Sequence, residues 1–142
     1  MDLKLLQVKE ASGLAIHCSK DVYDMMYHEA MADRETFWVL HLNTKLAIIE
    51  KELVFMGTLD GCTVHAREVF KKAIVNSSCN IICVHNHPSG DPEPSEADKE
   101  TCKMLVKAGD LLGIPITDFI IVGTKGYYSF RDENLIEQPL FK

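Results

Sequence analysis

A chain of 142 residues, 46% hydrophobic and 25% charged, has the size of one domain and the makeup of a globular fold with a real core, which excludes a second full domain, a collagen-like or coiled-coil chain and a disordered one. Fifteen Lys and Arg against 21 Asp and Glu leave a formal charge of −6, a poor match to a general phosphate-binding surface, although a local basic patch stays open. No apolar run approaches the roughly 18–20 residues that span a bilayer, so no membrane segment is expected.

The first twenty residues lack a basic leader with an apolar core and a small-residue cleavage site, which predicts a cytoplasmic protein. Cys18, Cys62, Cys79, Cys83 and Cys102 form no CxxC and are odd in number. They read as reduced, mostly buried thiols rather than a disulfide framework.

In chain order, Lys4–Val8 reads as a strand, and Asp21–Met31 has apolar residues at near-helical spacing behind a Ser19 or Asp21 cap. Thr36–Leu42 and Lys45–Gly57, joined by an Asn43–Thr44 turn, read as a hairpin. Val64–Val75 suits a half-exposed helix, and Asn80–His85 (NIICVH) is a continuous apolar run of the buried-strand type. Residues 87–98 (HPSGDPEPSEAD) make the strongest break. Ser95–Leu112 then places Ala97, Thr101, Met104, Leu105, Ala108 and Leu112 on one side of a helix that Gly113 stops. Ile114–Val122 and Tyr127–Phe130 close the chain as strands, with GTKGYY as a hairpin turn between them. The order βαββαβαββ predicts an α/β or α+β domain, its central sheet covered by helices.

His85-Asn86-His87-Pro88 lies where the buried strand meets the loop. Side chains two apart on a strand share a face, so both imidazoles can converge on one ion at about 2.0–2.1 Å. The same pair also suits two polar residues that simply close a strand. Asp98, in the first turn of the helix after the loop, is placed where it can supply a third ligand, and Ser95-Glu96-Ala97-Asp98 equally fits a capping serine with an acid three places on. The two roles are compatible. Two His and a carboxylate leave a fourth tetrahedral position open, as in a catalytic zinc site, and a separate carboxylate is then needed to accept a proton from water. Glu35, at the head of a strand, is one candidate for that task. Glu68 is the other, although it also suits a surface ion pair on its helix, and Glu50 and Glu52 are weaker.

His85-x-His87-x7-Ser95-x2-Asp98, preceded by Glu35, resembles the JAMM motif of the JAB/MPN metalloprotease superfamily. HNHPSGDPEPSEAD, with GTLDGCTVHAREVFKKAI upstream and IPITDFIIVG downstream, resembles the C-terminal domain of the RadC-like proteins, historically described as DNA repair proteins, over about residues 30–130. The resemblance implies a single JAB/MPN-like (cytidine-deaminase-like) α/β domain over 1–142, with a central mixed β-sheet flanked by helices. By position, His85, His87 and Asp98 match the Zn2+ ligands, Glu35 the general acid/base and Ser95 the residue that helps stabilise the oxyanion. Asn86 stands where deubiquitinating members have Ser or Thr, which weakens any ubiquitin inference. The helix-hairpin-helix region common in RadC-like proteins has no room in these 142 residues.

Other chemistries lack their residues. The three letters HNH are far apart in HNH nucleases; a zinc deaminase needs HxE with PCxxC; HExxH, GxSxG and a GKS/T phosphate loop are all missing. The expectation is therefore a zinc metallopeptidase or isopeptidase acting on a peptide or protein substrate. The rival is a DNA-associated binding module, whose only local support is Lys71, Lys72, Lys99, Lys103 and Lys107. A third reading is an interaction scaffold with an unused site. An exposed edge strand would suit an extended peptide or a homodimer contact.

Overall fold

The computed structural model describes residues 14–57 and 64–136. Its elements are α1 (Ser19–Ala30), β1 (Glu35–Leu42), β2 (Ile48–Gly57), α2 (Ala66–Val75), β3 (Asn80–Asn86), α3 (Glu96–Leu112), β4 (Ile116–Gly123) and β5 (Gly126–Ser129). They follow the expected succession, except that the strand proposed for Lys4–Val8 lies outside the described residues. No described helix is long and apolar enough to cross a membrane.

The apolar run of β3 takes the central place because it is the strand that can be buried on both faces. The five strands lie in the order β2-β1-β3-β4-β5. β1 is antiparallel to β2 and β3, β3 is parallel to β4 through α3, and β4 turns back antiparallel as β5. Residues along each strand alternate between two cores. Phe37, Val39, Ile81, Cys83, Phe119 and Ile121 pack with α2 and α3. Leu40, Leu42, Ile82, Val84, Ile120 and Val122 pack with Val22, Met26 and Ala30 of α1. The result is a mixed sheet between helices, and the α2/α3 face carries both His41 and His85.

Three local expectations are corrected. The residue that caps α1 is Cys18, in extended conformation; Asp21 sits inside the first turn, its carboxylate accepting from the amides of His17 (2.8 Å) and Cys18 (3.3 Å). The β1–β2 connection is wider than an Asn43–Thr44 turn. Asn43 Oδ1 accepts from the amides of Lys45 (2.9 Å) and Ala47 (3.1 Å), which postpones β2 to Ile48. On α3 the buried stripe is Asp98, Cys102, Leu105 and Gly109, one residue on from the apolar stripe of the sequence, and Leu112 is left exposed. The rotation turns Asp98 inward. It needs a glycine at 109, where a Cβ would stand 2.6 Å from the Ile114 carbonyl oxygen and 3.3 Å from Phe70.

One polar joint sits inside the α2/α3 face at the far end of β1 from Glu35. His41 is fully buried; its Nε2 lies 2.9 Å from Glu52 Oε1 on β2, and its Nδ1 lies 3.3 Å from Ser78 Oγ in the turn before β3. Cys83 and Cys102 are buried free thiols, Cys79 is half-buried, Cys18 is exposed, and Cys62 lies outside the described residues. Burial pushes the Cys102 thiol up to about 12 and raises Cys83 as well. Both therefore pack as neutral, apolar groups.

Candidate metal centre

His85 is the last residue but one of β3, and the amide of His87 still bonds to Val122 O at 2.9 Å, which carries the pairing one residue past the strand. The loop after it is clamped to the β4–β5 turn. Gly90 (φ +95°) accepts through its carbonyl from the amide of Lys125 at 3.0 Å, and a Cβ on Gly123 would collide with that same carbonyl. Held this way, the chain reverses into α3, where Ser95 is the N-cap. Its hydroxyl accepts from the Asp98 amide (3.1 Å) while the Asp98 carboxylate accepts from the Ser95 amide (2.9 Å). The capping box thus fixes Asp98 in the orientation that reaches the histidines.

Each imidazole donates from Nδ1 to a backbone carbonyl, His85 to Thr36 (2.9 Å) and His87 to Asp91 (2.9 Å). That choice turns both Nε2 atoms toward the same space, which is how protein partners orient metal-binding histidines. His87 Nε2 lies 3.0 Å from Asp98 Oδ2, and His85 Nε2 lies 3.6 Å from Asp98 Oδ1 and 3.7 Å from Glu35 Oε1. Ligand atoms of His85, His87 and Asp98 all fall within 4.8 Å of one another. Tetrahedral zinc with bonds of 2.0–2.1 Å separates its ligand atoms by about 3.3 Å, so the contacts of 3.0 and 3.6 Å suit such an ion with small adjustments.

His85 supplies the decisive detail. It is 1% exposed, and its Nε2 is a buried atom with no hydrogen-bond partner. Among the described residues only Trp38 Nε1 shares that condition, and the indole of Trp38 packs against the apolar α1 core rather than among acids and imidazoles. An unpaired nitrogen inside a protein costs about 1–3 kcal/mol. A bound cation would satisfy it. Burial drives the His85 pKa down, which favours the neutral, ligating form. The hydrogen bond to Asp98 raises that of His87, and although burial works to raise Asp98, its bonds to His87 and the Ser95 amide hold it below the usual carboxylate range.

The structure brings Glu35, His85, His87, Ser95 and Asp98 together. It does not bring the other acids there. Glu68 is exposed in the first turn of α2 and takes part in none of these contacts, Glu50 binds Lys72 (2.8 Å) and Asn76 (3.2 Å), and Glu52 binds His41. One contributor escaped the sequence reading. Asn86, fully buried, accepts at Oδ1 from the Thr36 amide (2.6 Å) and donates from Nδ2 to the Arg34 carbonyl (3.1 Å). It grips the backbone on both sides of Glu35 and orients Thr36, whose carbonyl orients His85. The signal for it was its place between two histidines at a strand end, where its side chain points to the opposite face.

The model of the RadC-like JAB domain matches residues 16–135. The chain belongs to the RadC-like JAB domain family. Among the described residues a five-stranded mixed sheet and three helices form a JAB/MPN-like fold, and the domain family typically binds zinc, which the His85-His87-Asp98 cluster could hold. Relatives include UPF0758 proteins of Methanosarcina mazei, 46% identical over 86% of this chain and 54% of the relative, and of Pelodictyon phaeoclathratiforme, 48% identical over 85% and 55%. A UPF0758 protein of Desulforamulus reducens is 40% identical over 94% of this chain and 59% of its own length. The chain spans about half the length of the curated relatives it matches.

Proposed function

We propose that the chain is a zinc-dependent metallohydrolase that cleaves a peptide or isopeptide bond. The observation that carries this reading is the orphaned, buried Nε2 of His85, facing the carboxylates of Asp98 and Glu35 at 3.6 and 3.7 Å. His85, His87 and Asp98 would hold the ion, which supplies Lewis acidity toward the scissile carbonyl and toward water.

The remaining chemistry belongs to the chain. Glu35 is 27% exposed at its side chain while its backbone is locked by Asn86, so it meets solvent from a fixed base. That suits a general base that takes the proton from the attacking water and returns it, as an acid, to the leaving amine. Water adds to the carbonyl, the C–N bond breaks, and the products are a carboxylic acid and an amine. Ser95 accepts from the Asp98 amide, which leaves its own proton for the oxygen on which charge develops.

Elemental analysis of untagged wild type, His87→Ala and Glu35→Gln proteins tests the reading. About one zinc per chain is expected in the wild type and in Glu35→Gln, and almost none in His87→Ala. A peptide-library screen on the loaded protein should then find a cleavage that Glu35→Gln lowers by roughly a hundredfold or more. A wild type that takes up no zinc from a supplied excess overturns the proposal.

A further inference from the structure

Beside the cluster lies a recess of about 60 Å³ that the chemistry above does not use. Its walls are Phe37 from β1, Phe119 from β4, Val64, and Ala97 and Thr101 from the first turns of α3; His85 and Asp98 form its polar edge. An engineered cavity of about 150 Å³ holds benzene, so a space of this size takes a few non-hydrogen atoms and not a ring. Such a hollow is small and mostly apolar. Phe37 and Phe119 meet edge to face, with centroids 5.8 Å apart, and are 2% and 1% exposed, so the floor is firm and does not open to admit a ring.

We propose that this recess is the subsite for the side chain on the carbon beside the scissile carbonyl, and that it selects a small aliphatic residue such as alanine or valine. The inference rests on the metallohydrolase reading, because it places the reacting carbonyl at His85 and Asp98. Those two residues are wall and ligand set at once, so a group held by them has its nearest substituent at the mouth of the hollow. A methyl or isopropyl group fills it. A benzyl group exceeds it, and an acidic side chain meets the Asp98 carboxylate. Thr101 and Ala97 line the recess from α3, and neither belongs to the ligand cluster, so they are the positions at which its size can be changed.

The test is calorimetric titration of the zinc-loaded protein with N-acetyl amino acid hydroxamates, whose headgroup ligates zinc while the side chain sits next to the carbonyl. Each buried methylene contributes about 0.8 kcal/mol, roughly fourfold in affinity, so the alanine compound should bind about 3–4-fold tighter than glycine and the valine compound at least tenfold tighter. The phenylalanine and aspartate compounds should bind no tighter than glycine. Thr101→Leu fills the space and should bring valine to within twofold of glycine, and Ala97→Leu, at an exposed helix position, should reduce the same ratio. Equal binding of glycine and valine, an equal gain for phenylalanine, or a valine preference that survives both substitutions overturns the subsite alone. Failure to load zinc, or failure of the glycine compound to bind the loaded protein, overturns the metal reading and the subsite with it.

Discussion

Two buried histidines stand on neighbouring strands, on the same face of the sheet and at opposite ends of it. His41 has a partner for each ring nitrogen, Glu52 at 2.9 Å and Ser78 at 3.3 Å. His85 has one, the Thr36 carbonyl at 2.9 Å, and its other nitrogen is buried and unpaired. The chemistry of the two neighbourhoods is otherwise alike, an imidazole among carboxylates and hydroxyls. What separates them is closure. A polar group whose valences are all met inside the chain joins β1, β2 and the α2–β3 turn as a structural joint; one left with an open valence facing two carboxylates is built to take something from outside. Burial alone does not identify a site, and neither does the presence of a histidine.

Substitution at the two rings should separate the roles most sharply. His85→Ala should abolish zinc uptake, and since it removes an orphaned nitrogen together with its ring, the apoprotein should lose less than the 3–5 kcal/mol of an ordinary large-to-small core change at an aromatic. His41→Ala should do the reverse. It strands Glu52 and Ser78 and opens a cavity, so a loss of about 2–4 kcal/mol in urea unfolding is expected, with zinc stoichiometry intact in the protein that remains folded. If His41→Ala also emptied the metal site while leaving stability alone, the contrast between joint and site would collapse.

Asn86→Ala lies between these extremes. It unpairs the Thr36 amide and the Arg34 carbonyl, which should cost about 1–3 kcal/mol, and it frees both the base of Glu35 and the carbonyl that orients His85. Loss of a partner that orients a ligand typically weakens metal binding 10–100-fold. Competition with a chromogenic chelator measures that shift, and Asn86→Asp, which keeps the acceptor but not the donor, should recover part of it. An affinity equal to that of the wild type would show that the grip on Arg34 and Thr36 is purely structural.

The parts of the site legible from sequence are those that depend on short-range geometry. Two residues apart on a strand and three apart at a helix start are fixed spacings, so His85 could be placed beside His87, and Ser95 beside Asp98, from the residues alone, while the loop between them left open how the two pairs meet. Glu35 needed more, because its arrival beside His85 depends on β1 pairing with β3 in the register that sets Phe37 opposite His85; the residues alone left it in competition with Glu68. Asn86 and the His41–Ser78–Glu52 joint depend on contacts between residues 11–52 positions apart and have no local signature. The buried stripe of α3 lies one residue on from its apolar pattern for a related reason. Counting apolar positions favours Leu112, whereas the helix turns to bury Asp98 and to bring Gly109 against the Ile114 carbonyl.

Asp118 sharpens the rule that closure, not charge, separates joints from sites. It is 3% exposed and accepts from the Phe119 amide (2.7 Å), Ser129 Oγ (2.6 Å) and the Arg131 amide (3.1 Å), so it ties β4 to the chain leaving β5. Burial lifts its pKa to about 6 even against those three donors. With an unfolded value near 3.9, the native state holds the proton more tightly, so the group's contribution is full below about pH 4 and is lost as the pH rises through 6. The full loss is on the order of 3 kcal/mol, because holding the proton up to about pH 6 rather than 3.9 is worth 1.36 kcal/mol per pH unit. Asp118→Asn keeps an acceptor for the two amides and cannot ionise. Urea unfolding of both proteins at pH 4.5 and 7.5 should therefore show the wild type falling relative to Asp118→Asn by about 2 kcal/mol, since part of the effect is already spent at pH 4.5, and a constant difference would mean that the three donors hold the carboxylate ionised throughout.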